Sequence, residues 1–329
     1  MQISKLQPNG RFIAVVGALS AAMFLIAAPG LAQQYPEKPI RIVVPFGPGG
    51  GSDTLTRLLQ PKLREALGQP LFVENRPGAG TILGTQAVSQ AVPDGYTLLV
   101  TIDQTMTMNP SLYSNLPYDP LKSFAPISLM ARSPLVFAIN PNVPVRSMKE
   151  FVDYLKANPG KVNYGSGAVG GQVWGRQLMD ITGTEMTFIP YASGGAAQAA
   201  ILKNEIQFAS ADVGTFAALV KEGKLVPLAI SGSERIKDLP DVPTLQEQGI
   251  AIEGGSWWGM FAPFGTPAAI VEKLHQAMVY AVGDKDNSER FIARGAIPST
   301  SSPEEFARLI SKEEAQWRAV IQKAGIRAN

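Results

Sequence analysis

The chain has 329 residues, 45% of them hydrophobic and 17% charged, which is room for about two domains with cores of their own and excludes a disordered, fibrous or many-span membrane protein. Cysteine is absent and histidine occurs once, so disulfides, thiolate catalysis, lipid attachment through an N-terminal cysteine and a metal centre of several nitrogen or sulfur ligands are excluded. Residues 1–32 hold two basic and no acidic side chains, leaving 27 of each sign in the remainder, so bulk charge draws that remainder to neither nucleic acid nor an anionic membrane.

At the N-terminus Lys5 and Arg11 precede an uncharged run over 12–28 and then Pro29-Gly30-Leu31-Ala32. Positive, apolar and small-residue regions in that order read as a secretory signal cut after Ala32. A membrane anchor is the competing reading, but the run falls just short of the ~18 apolar residues of a span and is diluted by Gly17 and Ser20. The mature chain is therefore expected to be soluble, and the lack of cysteine suits the periplasm.

From residue 40 onward, β-rich runs alternate with amphipathic helical ones. A strand over 40–44 is followed by a helix over 55–67, a strand over 71–74, a helix over 82–89 and a strand over 97–101. The alternation resumes with strands over 135–139, 162–164, 187–189, 206–209 and 226–230, and with helices over 147–157, 172–181, 196–203 and 215–222. This pattern predicts two doubly wound α/β lobes, each with a mostly parallel sheet flanked by helices. Ser147 with Glu150, and Ser302 with Glu305, read as capping boxes at two helix starts. The stretch 240–255 is turn-rich, and a strand over 257–262, a helix opened by Pro267 and a long helix over 303–324 follow, so the chain is expected to cross back. Lobe 1 is then 33–132 with 257–329, and lobe 2 is 133–256. Pro61 falls inside the first helix and predicts a kink or a split there.

The densest chemical signal is Pro45-Phe46-Gly47-Pro48-Gly49-Gly50-Gly51-Ser52-Asp53, between a buried strand and a helix. Glycines let the backbone approach a ligand, and the free N–H groups and positive dipole end of the helix favour an anion. The plainer reading is a tight turn capped by Ser52 or Asp53, but open α/β sheets bind ligands at the ends of such strands. A second cradle, Gly165-Ser166-Gly167-Ala168-Val169-Gly170-Gly171, and a third, Ser193-Gly194-Gly195, follow strands of the other lobe. Trp174, one turn past the second cradle, is placed to wall a planar ligand. Asp212, between the strand ending at 209 and the helix from 215, joins the candidate set.

Gly165, Gly167 and Gly170 also satisfy the dinucleotide pattern GxGxxG. The next strand has no acidic residue near its end, and free nicotinamide cofactor is not expected outside the cytoplasm, so no cofactor is assigned. His275 sits beside the apolar face of Ile270, Leu274 and Met278; a Ser-His-Asp triad would depend on it alone. Trp257 and Trp258 read as packing at the crossover, with one ring free to face a cleft. No catalytic and no metal-binding residue is assigned.

The runs Tyr35-Pro36 to Gly50, Glu74-Asn75-Arg76-Pro77-Gly78-Ala79-Gly80, Leu239-Pro240-Asp241-Val242-Pro243-Thr244 and Trp258-Gly259 to Pro267 closely resemble the Bug family, the substrate-binding receptors of tripartite tricarboxylate transporters. The resemblance covers essentially the whole mature chain. It implies a non-enzymatic periplasmic receptor with a two-lobed Venus flytrap fold, type II-like, that carries a small organic carboxylate to integral membrane subunits and acts as a monomer. By motif it points to Phe46, Gly49, Gly50, Ser52, Asp53, Ala79, Gly80, Ser166, Gly167, Gly170 and Gly171 as ligand contacts. Two departures matter: Trp174 stands where many members have a histidine, and Ala192 where a lysine or arginine is common. Both remove a polar partner, which makes an aromatic or mono-carboxylate a rival to a dicarboxylate. The segment Thr101-Ile102-Asp103-Gln104-Thr105 places an acid where small neutral residues are usual, so Thr101 and Asp103 are added as candidates that would meet an amine or hydroxyl on the ligand. A signalling receptor that presents the same ligand, and an exported hydrolase or dehydrogenase, are the alternative functions.

Overall fold

The computed structural model describes residues 35–328; the expected signal segment lies outside them. Two sheets organise the chain. The first has six strands in the spatial order Leu71–Asn75, Ile40–Val44, Thr97–Ile102, Ser256–Pro263, Phe124–Ser133, Ile297–Pro298, and the second five in the order Thr187–Pro190, Asn163–Ser166, Phe208–Asp212, Leu135–Ile139, Val226–Ile230.

In the first sheet, β1 (Ile40–Val44) pairs parallel with β2 (Leu71–Asn75) and β3 (Thr97–Ile102). Helices α1 (Gly51–Leu67) and α2 (Ile82–Ser89) make the crossovers. Isoleucine and valine dominate β1, which is buried at every position but Arg41, as expected of a strand covered on both faces. After β3 the chain forms a π-helical turn at Gln104–Met108 and a short α3 (Asn109–Leu112), then β4 (Phe124–Ser133). Strand β4 runs directly into β5 (Leu135–Ile139) of the second sheet. That sheet continues with α4 (Met148–Ala157), β6 (Asn163–Ser166), α5 (Val169–Thr182), β7 (Thr187–Pro190), α6 (Gly194–Leu202), β8 (Phe208–Asp212), α7 (Val213–Lys221) and β9 (Val226–Ile230). Strand β10 (Ser256–Pro263) returns to the first sheet, followed by α8 (Ala268–Gly283), α9 (Lys285–Ile292), β11 (Ile297–Pro298) and α10 (Pro303–Ala324).

Most strands of each sheet share one direction, as expected: β1 to β4 in the first and β6 to β9 in the second, with β10, β11 and β5 running against them. Strand β10 pairs antiparallel with β3 and β4, β11 antiparallel with β4, and β5 antiparallel with β8 and β9. Strands β5 and β10, by which the chain enters one sheet from the other, run against both their neighbours. Strand β4 and the two-residue β11 went unpredicted. Pro126 breaks the β4 pattern, and it pairs with Phe261 where the β10 register shifts, a bulge that accommodates a residue without an N–H.

Helix α1 runs unbroken through Pro61 rather than splitting. Leu55, Leu59, Leu63 and Leu67 lie on its buried face on both sides of the proline, and their packing outweighs a local cost of about 3 kcal/mol. The Ser302–Glu305 capping box is complete, but at Ser147 only half forms: the Ser147 hydroxyl accepts from Glu150 N–H, while the Glu150 carboxylate accepts from Arg146 N–H.

Candidate functional site

Glycine-rich starts make the second-sheet helices begin earlier than their apolar period suggests. Helix α5 starts at Val169 after Ala168, α6 at Gly194 after Ser193, and α7 at Val213 after Asp212. Residues from all three starts line one cavity of about 280 Å³ between the sheets. First-turn N–H groups have no intrahelical partner, but at α7 Val213 N–H donates to the Pro134 carbonyl at 3.2 Å, which leaves α5 and α6 as the main donors. Across it stand Ile102, Asp103 and Gln104 from the end of β3, and Ser256 from the start of β10.

Of the predicted residues, Asp103, Ser166, Gly167, Gly170, Gly171, Trp174, Gly194 and Asp212 line this cavity. Gly167 is there for fit: a Cβ on it would lie 1.9 Å from the Ser193 carbonyl carbon, so its backbone packs against the Ser193–Gly194 peptide. That contact explains one glycine of the GxGxxG match without a cofactor. Ser193 caps α6, its hydroxyl accepting from Ala196 N–H at 3.2 Å. Trp174 is buried in the wall and meets Trp317 edge to face.

Phe46, Gly49, Gly50, Ser52, Asp53, Ala79, Gly80 and Thr101 do not reach the cavity wall. Gly49 takes a left-handed φ of +81° and Gly50 caps α1 in extended backbone. Asp53 spends both carboxylate oxygens on the loop itself: Oδ2 accepts from Gly49 N–H at 2.9 Å, and Oδ1 from Asn75 Nδ2 and Arg57 Nε at 2.9 Å each. Burial pushes this carboxyl up, but those three donors outweigh it and hold it below the ordinary carboxylate range. What the first cradle offers a ligand is therefore backbone N–H, with Asp53 as its brace. The buried Ser52 hydroxyl accepts from Trp258 Nε1 at 3.1 Å, which fixes the indole beside Gly51. Trp257 turns the other way into the core against Phe261 and Phe306.

The loop 78–81 is strained. Ala79 and Thr81 have φ of +47° and +80°, alternating with Gly78 and Gly80, which also lie at positive φ, a conformation costing non-glycine residues on the order of 1–3 kcal/mol each. Asn109 holds it, donating to the Gly80 carbonyl at 3.1 Å and the Thr81 hydroxyl at 3.3 Å. The Thr81 and Thr105 hydroxyls bond at 2.9 Å. The fold thus maintains this loop from the π-helical turn that follows β3.

Three carboxyls gather where the sheets join. Asp103 is raised well above the ordinary range, by burial first and then by Glu313 and Asp212. Burial pushes Asp212 up to about 6 against hydrogen bonds from Ser256 and Ser133. It pushes Glu313 up to about 7 although Trp257 Nε1 donates to it at 2.8 Å. Gln104, Gln198, Ser210, Thr215 and Ser256 also line the cavity and were missed. Two of them carried a signal: Gln104 stands in the Thr101–Thr105 segment singled out for its acid, and Gln198 near the start of a helix that follows a glycine cradle.

His275 lies outside the cavity wall, and the described residues contain no group of three His, Cys, Asp or Glu side chains placed to hold a metal. A larger cavity of about 430 Å³ lies behind the join, between Arg132, Arg235, Ile236 and Ile297.

Comparison with known proteins gives one consistent result. Residues 55–326 match the model of the tripartite tricarboxylate transporter family receptor. Protein BugT of Bordetella pertussis is 34% identical over 324 residues, covering 96% of this chain and 98% of BugT. Among solved structures, MatC from Rhodopseudomonas palustris with bound malate is 31% identical with a TM-score of 0.73, over 87% of this chain and 100% of MatC. An R. palustris protein solved with adipate is 29% identical with a TM-score of 0.76, over 89% and 99%.

Proposed function

The chain belongs to the tripartite tricarboxylate transporter receptor family, and from that premise we propose that its inter-sheet cavity captures a small organic carboxylate for delivery to membrane subunits of such a transporter. The observation that supports this most is the convergence of the α5 and α6 starts, with α7 beside them, on one cavity whose wall holds no lysine or arginine among the described residues. An anion there is held by backbone N–H groups and dipole ends, which recognise a carboxylate without a fixed counter-charge. The malate and adipate bound by the two structural relatives are ligands of that chemistry.

Lobe 1 is placed at 33–132 with 257–329 and lobe 2 at 133–256, working as a monomer in the periplasm after removal of 1–32. Closure around the ligand brings the Gly49–Gly50 and Ala79–Gly80 backbones onto it from lobe 1, so the closed state gains contacts the open one lacks. Isothermal calorimetry over small carboxylates, paired with solution scattering, tests both parts. Binding without a decrease in radius of gyration would refute closure, and absence of binding by every carboxylate would refute the capture.

A further inference from the structure

The carboxylate reading leaves part of the cavity without a task. Asp103, following β3 of one sheet, and Asp212, ending β8 of the other, both line it, together with Ser256. They are the only charged side chains in its wall among the described residues. Backbone N–H groups alone face Asp103: Trp257 N–H donates to Oδ1 over a long 3.4 Å, and Gln104 N–H also approaches the carboxyl. Asp212 receives the Ser256 and Ser133 hydroxyls, yet its Oδ1 is shut off from solvent and meets no donor among the described residues. Glu313, behind Trp257, adds a third negative group; Arg132 and Lys312 face Glu313 rather than the cavity. Two carboxyls at one cavity with no lysine or arginine in its wall among the described residues lack a counter-charge, which a ligand cation would supply.

We infer that the ligand carries a protonated amine as well as its carboxylate, with the ammonium against Asp103 and Asp212 and the carboxylate on the helix starts at Val169 and Gly194. This rests on the carboxylate reading above and extends it. A quaternary nitrogen would supply charge but no N–H for these carboxylates, so a primary or secondary ammonium is specified. The rival is a dicarboxylate whose second carboxylate takes a hydrogen bond from a protonated Asp103. The two differ in sign: an ammonium draws the raised acids into their charged form and releases protons, whereas a second carboxylate next to them takes protons up.

The test is calorimetry at pH 7 in two buffers of different ionisation enthalpy, titrating α-amino acids and unbranched ω-amino acids against α,ω-dicarboxylates of the same carbon numbers. The expected result is an amino acid that binds with net proton release and at least about tenfold more tightly than its matched dicarboxylate. Asp103→Asn, which keeps an oxygen for Trp257 N–H, should weaken that amino acid by roughly thirtyfold or more and leave dicarboxylates unchanged or tighter; Asp212→Asn provides the same comparison should the first variant fold poorly. Tighter dicarboxylate binding with proton uptake, indifferent to both substitutions, overturns this inference and keeps the carboxylate reading. Simple amines binding as tightly as the amino acids would overturn the carboxylate reading instead. No binding by any amino acid rejects the inference.

Discussion

Trp174 and Trp317 meet edge to face, ring centroids 4.6 Å apart and planes at 70°, so a wall of the cavity is braced by the C-terminal helix. Trp317→Ala should cost about 3–5 kcal/mol of stability. It should also loosen the Trp174 ring and weaken ligand binding. Thermal melts with calorimetry check this; unchanged affinity in a folded Trp317→Ala protein would show that the brace does not serve the site.

Two cavity glycines should respond oppositely to a methyl group. Gly194 has open space at its Cβ position and stands at the first position of α6, so Gly194→Ala should keep or slightly raise the melting temperature. Gly167→Ala drives a carbon into the Ser193 backbone and should lower stability by about 2 kcal/mol or more. Equal melting temperatures for the two variants would contradict the packing of these loops.

Gly50 caps α1 with its nearest prospective Cβ contact 3.5 Å away, at the Gly47 carbonyl. Gly50→Asp should therefore fold normally and gain a few tenths of a kcal/mol as a better cap. Its carboxylate would also occupy the helix start that closure brings to the ligand, and affinity should fall at least about tenfold by like-charge repulsion. Full affinity in a stable Gly50→Asp protein would remove the first cradle from the binding mechanism.

The buried acids set a pH dependence with a defined sign. Asp212 and Glu313 have folded values of about 6 and about 7, above their ordinary ones. The stability they add is full below about pH 4 and lost as pH rises through those values. Asp53 and Asp180 are depressed and act in the other direction, at lower pH. Between pH 4.5 and 7.5 the Asp212→Asn, Glu313→Gln double variant should lose less stability than the wild type. At pH 7.5 it should be more stable by about 1–3 kcal/mol. Parallel melting curves across that range would contradict the assignment.

Elements covered on both faces were the legible part of the fold. Strands β1, β5 and β9 are apolar runs whose limits can be read to the residue, because nothing but a buried strand fits them. Helix starts were read late at Gly51, Val169, Gly194 and Val213, since glycine and small residues carry no helical signal of their own. Strand β4 was hidden by Pro126, whose tolerance depends on a bulge with a strand 135 positions further on. The glycine loops of the site were visible in their spacing. The fit of Gly167 on Ser193 and the commitment of Asp53 to Gly49, Asn75 and Arg57 were not, because these depend on three-dimensional neighbours.

The C-terminal helix has a mechanical corollary. It packs on β4 of one sheet and on α5 of the other, and beyond it Ala328 N–H donates to the Leu112 carbonyl. A swing of the two halves must therefore slide along this strut or peel it off, which adds resistance to gaping. Cargo fused after residue 328 would load that strut directly and should slow ligand exchange, an effect that stopped-flow measurement of a fused against an unfused protein would expose or rule out.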